Sequence, residues 1–450
     1  MNLYFNTCSY KKPTGGRFFV RIRRNVLLVL MPFIPTIAFA QEVPLQTVDL
    51  RSAIAQTIDM HPELKSFAIQ AKMYSGYAQQ AGVQSRPQIG FTIEDALGTG
   101  EHSGFKSAQS TLSISWLLDG GLVQSKIKAA KQYGSTVALE REVKALDLAA
   151  QTARYFIQVL VNNERLKLAQ FSLKQANNSF EAISKRVKAG KSSLVDKLKS
   201  QAEVANRELI VEDLTHEVDA SKYQLFAQWG EQIKGVNQNN RHKKSMIVGS
   251  LLSLPSVTNF DSLFTKLRQT PSVNLFATKQ RITQSEIELA RIESKPLWQF
   301  STGLRRYETT DDFGLVAGIS IPFGDGNRNE GKIKALRASQ SQLETESLAL
   351  VHKLNTQLYV LIEQLKHSQH VIHAVSDNII PVLEQAFKEA EKAYNVGKYS
   401  YTEWMNTQQA LLNAQSDLIA AYQNAHLNNI EIERLTGTSI LTINKDKKEK

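Results

Sequence analysis

The chain has 450 residues, 42% of them hydrophobic and 22% charged, with a formal net charge of +11 and one cysteine, Cys8. Six of its cations (Lys11, Lys12, Arg17, Arg21, Arg23, Arg24) lie in the first 40 residues beside no acid, so the remaining 410 carry only +5. That balance removes the electrostatic footprint of a nucleic-acid binder, and a chain with no further cysteine has neither a disulfide framework nor thiolate chemistry.

An apolar run over 26–38 follows the basic stretch and leads to Ala38-Phe39-Ala40, the small-x-small pattern of a cleavage site. We assign 1–40 as a secretory signal peptide cleaved after Ala40. The run is shorter than the roughly 20 apolar residues of a spanning helix, and Pro32 and Pro35 break it. No later apolar run reaches that length, so any membrane crossing by this chain requires strands.

The rest of the chain is one unit written twice. His61-Pro62 followed by Phe67-Ala68 returns as Thr270-Pro271 followed by Phe276-Ala277, and Arg86-Pro87 returns as Lys295-Pro296, at an offset of 209. Lys126-Ile127-Lys128-Ala129 returns as Lys332-Ile333-Lys334-Ala335 at 206, and Ala189-Gly190-Lys191 returns as Val396-Gly397-Lys398 at 207. Trp229-Gly230 returns as Thr436-Gly437, also at 207. The repeats are assigned to 41–230 and 259–437, joined by a polar, basic connector over 231–258 that runs around the outside and followed by a tail over 438–450.

Each unit predicts a helix, a strand pair, a long helix, a tight turn and a return helix. Over 49–83 and 259–293 apolar residues recur every three or four positions (Leu64, Phe67, Ala71; Phe276, Ile282, Ile287), which is amphipathic helix. Strands are expected at about 88–95 and 110–118, and again at about 298–306 and 313–323, where Ile89, Phe91, Ile93, Leu112, Ile114 and Trp116 alternate with small or polar residues. Alternation fits two arrangements. A soluble sheet would bury the apolar face, whereas a membrane barrel would turn it outward.

Residues 122–188 and 328–395 hold almost nothing that stops a helix apart from Gly134 and Pro381, and Pro381 is expected to kink or interrupt the second. Such helices exceed any compact globule, and their Ala, Gln, Lys, Glu and Leu composition suits coiled-coil packing. Glycine at 190 and 397 closes them, and Ser192-Ser193 offers caps for the return helix. The hairpin tips are placed at about 187–196 and 394–403.

The duplication, the strand pairs ending in Trp116-Leu117-Leu118-Asp119-Gly120-Gly121 and Ile321-Pro322-Phe323-Gly324-Asp325-Gly326, and the tip sequences around Gly190 and Gly397 resemble the TolC family of outer-membrane efflux proteins. Tyr401-Thr402-Glu403-Trp404 leading to Glu431-Ile432-Glu433-Arg434-Leu435-Thr436-Gly437 is most similar to the CzcC-type branch that serves heavy-metal efflux pumps. The resemblance implies a mainly α fold carrying a transmembrane β-barrel, in which four strands per chain complete a 12-stranded barrel in a homotrimer, above a long periplasmic helical tunnel. Gly90, Ser113, Ser115, Gly303, Gly318 and Ser320 would then face the lumen.

It further implies a passive channel of a tripartite system in the outer membrane of a Gram-negative bacterium. The partners are outer-membrane lipids, a periplasmic adaptor and an inner-membrane pump of the RND class; the cargo is heavy-metal cations, with drug efflux or type I protein secretion as alternatives. Ala189, Gly190, Lys191, Val396, Gly397 and Lys398 would dock the adaptor. The family's closing carboxylates fall six and nine residues after the second tip glycine, at Glu403 and Asn406, one kept acidic and one not. Tyr401 and Trp404 are bulky enough to form a constriction themselves.

Other chemistry finds little support. His367, His370 and His373, with Glu363 before them, lie at helical spacing and are candidate metal ligands, but three steps of this size drift around the helix. Gly324-Asp325-Gly326 lacks the Lys-Ser/Thr of a phosphate loop, and no nucleophile elbow or triad-like pattern occurs. No enzyme activity, cofactor or nucleic-acid partner is expected. A periplasmic coiled-coil adaptor would need one hairpin between β-rich halves, and a structural fibre would show sustained heptads without strand pairs.

Overall fold

The computed structural model describes residues 47–230, 246–255, 259–324 and 326–437. The assigned signal peptide with its cleavage site, the first part of the connector and the tail lie outside the described residues. In chain order the elements are β1 (Thr47–Val48), α1 (Leu50–Met60), α2 (Pro62–Ala81), β2 (Gln88–Glu94), β3 (Gln109–Leu118), α3 (Leu122–Lys188) and α4 (Leu194–Ala227). The second half continues with β4 (Met246–Ile247), α5 (Phe260–Leu267), α6 (Pro271–Glu293), β5 (Trp298–Tyr307), β6 (Asp312–Ser320) and α7 (Glu330–His373). A π-helical stretch (Ala374–Ile379), α8 (Ile380–Asn395) and α9 (Tyr401–Thr436) complete it.

Each leading helix expected as one piece is two. Pro62 and Pro271 open α2 and α6, and the residues before them are extended, His61 at ψ 127° and Thr270 at ψ 153°. The proline ring disfavours the α region for its predecessor, so the landmark that marks the duplication also breaks the helix.

The four longer strands form one antiparallel sheet in the order β2-β3-β5-β6. The repeats are stitched together at β3 and β5, whose register runs from Gln109 opposite Tyr307 to Leu118 opposite Trp298. Gly303 belongs to this seam, and a Cβ there would meet the Leu112 carbonyl oxygen at 2.6 Å. Residues directly paired across antiparallel strands share a face. Phe91, Leu112, Leu304 and Leu315 form one row of an apolar face; Gly90, Ser113, Gly303 and Val316 form a row of the opposite one. The apolar face is open, with Leu315 88% and Ile89 78% exposed. A sheet of a soluble protein would bury that face, so the outward-facing arrangement holds, with Gly90, Ser113, Ser115, Gly303, Gly318 and Ser320 on the inner, polar side.

Among the described residues no helix is long and apolar enough to cross a membrane. The helices are long for another reason. Helix α3 has 67 residues, about 100 Å at 1.5 Å per residue, and runs through Gly134 unbroken. Its middle carries the core: Ala149, Ala153, Phe156, Val159 and Leu160 pack with Ile54 of α1 and with Leu225 and Phe226 of α4. A second core joins Leu358, Ile362 and Leu365 of α7 to Leu263 and Leu267 of α5 and Ala425 of α9. The end of the connector does more than run around the outside. Met246 and Ile247 pair in parallel with Thr47 and Val48, and Leu251 is buried in the first core.

Pro381 lies in the first turn of α8, directly after the π-helical stretch. Proline donates no hydrogen bond to the carbonyl four residues back and crowds it, which favours a local change of helix type at this point. The count of residues explains the change further. Gly190 lies 64 residues after Lys126, and Gly397 lies 65 after the equivalent Lys332. A π turn holds one extra residue without rotating the helix beyond it, so α8 keeps the phase that α3 has at its tip. Deleting one residue within 374–379 should therefore convert the stretch to α-helix and preserve assembly. Deleting one residue at 168–172 of α3, where none is spare, should rotate everything beyond by about 100° and abolish it. The amount of folded protein in detergent-extracted outer membranes, with thermal unfolding, distinguishes the two.

Candidate functional site at the paired hairpin tips

The two tips are built alike. Helix α3 ends with Gly190 at φ +69° and α8 ends beside Gly397 at φ +80°, the left-handed region where a side chain is strained. In the first tip Lys191 N–H donates to Arg186 O (2.8 Å) and Gly190 N–H to Val187 O (3.0 Å); in the second, Lys398 N–H donates to Ala393 O (2.9 Å) and Gly397 N–H to Tyr394 O (3.0 Å). These are Schellman closures, which satisfy the carbonyls a helix C-terminus leaves free. Ala189, Gly190, Lys191, Val396, Gly397 and Lys398 are all exposed at the turn.

The return helices also start alike. Ser193 with Asp196, and Ser400 with Glu403, form capping boxes. Ser400 donates to the Glu403 carboxylate from its backbone N–H (2.7 Å) and hydroxyl (2.8 Å), and its oxygen accepts from Glu403 N–H (3.2 Å). The Ser400 backbone bond, then the hydroxyl bond, hold the Glu403 carboxyl below its ordinary value of 4.5. A depressed folded pKa means the charged cap persists as pH falls through the usual carboxylate range and is lost only below it. Glu403 is thus an exposed, charged residue with a structural duty that its expected role in closing a channel does not include. The Ser-x-x-Asp/Glu spacing at 193–196 and 400–403 carries that signal.

Tyr401 and Trp404 are buried within the chain rather than standing free at the turn. Both pack among Ile183 of α3 and Ala390 and Tyr394 of α8, with Phe387 and Val187 alongside. Trp404 stacks on Tyr394 at 5.0 Å between centroids, and Tyr401 meets Trp404 edge-on at 6.4 Å. Arg186 of the first hairpin places its guanidinium 4.9 Å from the Tyr394 ring centre and donates to Asn395 O (2.9 Å). Burial comes first among the causes that push Tyr401 up to about 12, so the phenol is neutral at any working pH. The cluster clamps one tip to the other, and residue spacing does not reveal it because its members come from two repeats.

Asn406 is exposed beside the cluster, in a groove lined by Lys199, Glu203, Arg207 and Gln409. Arg207 of α4 bonds to Glu203 (2.6 Å) and reaches Gln409 of α9 (2.7 Å), a second tie between hairpins. His367, His370 and His373 are exposed on α7, more than 30 Å along the helix from the tip. His373 lies 3.5 Å from Asp377, and among the described residues no three His, Cys, Asp or Glu side chains group as metal ligands.

Trp404→Ala should remove about 3–5 kcal/mol of packing and release the tips from each other. Faster trypsin cleavage at Lys191 and Lys398, with the sheet protected, is the expected outcome; an unchanged cleavage rate would show that the clamp is elsewhere.

The profile of the family described as Outer membrane efflux protein matches residues 53–231 and 266–438. The cobalt-zinc-cadmium resistance protein CzcC of Cupriavidus metallidurans is 26% identical over 86% of this chain and 90% of its own length. The nickel-cobalt-cadmium resistance protein NccC of Alcaligenes xylosoxydans xylosoxydans is 24% identical over 69% of this chain and 68% of its own. Among solved structures, the outer membrane protein VceC of Vibrio cholerae superposes with a TM-score of 0.66 at 16% identity, covering 86% of this chain and 96% of that one. With the duplication, the outward apolar sheet and the paired helical hairpins in place, the chain belongs to the outer membrane efflux protein family and is an outer-membrane channel, not an enzyme.

Proposed function

We propose that three copies of this chain form one conduit that carries divalent heavy-metal cations across the outer membrane, fed by an RND-class pump through a periplasmic adaptor. The observation that carries the trimer is the sheet itself. Its apolar face is open and, among the described residues, β2 and β6 each have a strand neighbour on one side only. Lipid cannot satisfy the free backbone groups of those edges, and joining β6 of one chain to β2 of the next satisfies all of them. Four strands are too few for a bore, whereas three chains supply twelve.

The duplication supports the same closure along the helices. Tyr401 is 6% exposed because α9 packs on α3 within the chain, whereas its repeat counterpart Leu194 on α4 is 62% exposed. Val195 and Leu198 are open beside it. In a ring of alternating repeats, α4 meets α7 and α8 of the neighbouring copy as α9 meets α3, and these side chains become buried.

Cargo is inferred from the names of the relatives, cobalt-zinc-cadmium and nickel-cobalt-cadmium resistance proteins. Glu403 and Asn406, exposed at the free end of the second hairpin, form the acidic and the polar ring at the tunnel's periplasmic mouth, and the six exposed turn residues meet the adaptor. Lipids contact the apolar sheet face, where Ile89, Phe91, Phe313 and Leu315 are exposed.

Purified protein should run as a trimer in detergent, and a monodisperse monomer that still conducts would refute the assembly. Glu403→Gln keeps the capping acceptor and removes three charges. It should therefore lower thermal stability only slightly, through loss of the charge-assisted cap, while raising conductance and weakening cation preference in planar bilayers, and Asn406→Asp should shift conductance and selectivity the other way. Unchanged conductance and selectivity in both variants would place the gate elsewhere. Gly190→Val and Gly397→Val strain a left-handed residue by about 1–2 kcal/mol; metal tolerance of cells carrying the cognate pump should fall while outer-membrane levels hold. Loss of the protein from the outer membrane would instead refute the tip assignment.

A further inference from the structure

We propose that Arg305 sets the ionic selectivity of the barrel's outer end. The inference rests on the trimeric-barrel reading and concerns the end opposite the hairpin tips.

The polar face of the sheet carries three charged residues among the four strands: Glu94 on β2, Arg305 on β5 and Asp312 on β6. They fall in adjacent rows, Thr92, Thr111, Arg305 and Gly314 in one, Glu94, Gln109, Tyr307 and Asp312 in the next. Both rows lie where the strands run into the loops 95–108 and 308–311, away from the helices. The opposite face being the apolar one, these side chains point into the lumen.

Arg305 is held at the wall. Its Nε donates to Thr111 Oγ1 (2.9 Å), Nη1 to Gln109 Oε1 (2.9 Å) and Nη2 to Glu94 Oε2 (2.6 Å), so a single guanidinium spans β5, β3 and β2. The neighbouring Arg306 points to the other face, where it pairs with Asp311 and Glu308. The strands of each chain therefore present two lumenal acids and one fixed base, and Asp95, just past β2, accepts from Gln109 Nε2 (2.9 Å) beside them. In a trimer the strand charges alone sum to about −3, and to about −6 without Arg305, with the three Asp95 carboxylates adding to either total.

A ring that attracts cations assists their exit, but one that binds them tightly stalls them, and conduction needs the weaker setting. Arg305 lowers the field of Glu94 without being free to swing into the path of the ion. Its neutralisation should leave Glu94 and Asp312 unbalanced across the same opening.

The test is reversal potential in planar bilayers under a KCl gradient, with the purified full chain as wild type, Arg305→Gln, Arg305→Lys and Glu94→Gln. Arg305→Gln should raise the potassium-to-chloride permeability ratio by about threefold or more, the effect of one charge some 7 Å away in water. Arg305→Lys keeps the charge and loses the three-way clasp, so its ratio should stay near wild type. Glu94→Gln should lower the ratio. An unchanged ratio in Arg305→Gln, or an equal rise in Arg305→Lys, overturns the proposal. If Arg305→Gln fails to insert, Glu94→Gln decides, and no shift there overturns it. A wild-type protein that forms no pore refutes the barrel reading instead.

Discussion

Backbone hydrogen bonding in lipid is the constraint on which the rest of this structure depends. The sheet turns Ile89, Phe91, Leu304, Phe313 and Leu315 outward, and side chains of that kind are at ease only in hydrocarbon. Hydrocarbon offers no partner to an unpaired N–H or C=O, each of which costs several kcal/mol. A four-stranded sheet with two open edges is therefore unfinished as a single chain. Two copies of a strand pair, linked at β3 and β5, bring a chain one third of the way around, and assembly completes the circle.

The helices solve a different problem with the same duplicated unit. They extend the lumen, so they must be long, regular and alike in phase. Helix α3 achieves this without interruption, and its counterpart reaches the same phase with one residue more by storing it in a π turn before Pro381. At the free ends, left-handed glycine closures and capping boxes terminate both hairpins in the same way. The aromatic cluster around Trp404 then joins the unlike hairpins. Its exposed counterparts at Leu194 and Leu198 show the corresponding contact left open in the isolated chain.

Much of this is legible in the amino-acid sequence because it depends on local rules. Internal repetition, period-two strands, glycine at the tips and the absence of helix breakers all come from residue spacing, and the family resemblance rests on them. Features that depend on direction or on long-range partners are not legible. Alternation at Ile89 and Phe91 cannot say whether the apolar face packs on a protein core or meets lipid, because both arrangements give the same pattern. Pro62 and Pro271 stand out as repeat markers, and that role hides their exclusion of the preceding residue from the helix. Tyr401 and Trp404 read as bulky neighbours of Glu403, and only the packing of α9 against α8 and α3 together buries them. Glu403 reads as a charge, and its backbone partner at Ser400 gives it a second task.

If the edges of one chain's sheet close on those of another, covalent trapping captures the pairing. Cys8 is the sole cysteine, so introduced thiols would be the only ones in the strand region. Thr92→Cys on β2, combined in turn with Gly314→Cys, Val316→Cys or Gly318→Cys on the same face of β6, should under oxidation give at least one pairing that runs as a covalent dimer and trimer ladder on denaturing gels and collapses to monomer with reductant. Monomer alone in all three combinations, in protein that is correctly inserted, would show that the sheet edges of neighbouring chains do not meet.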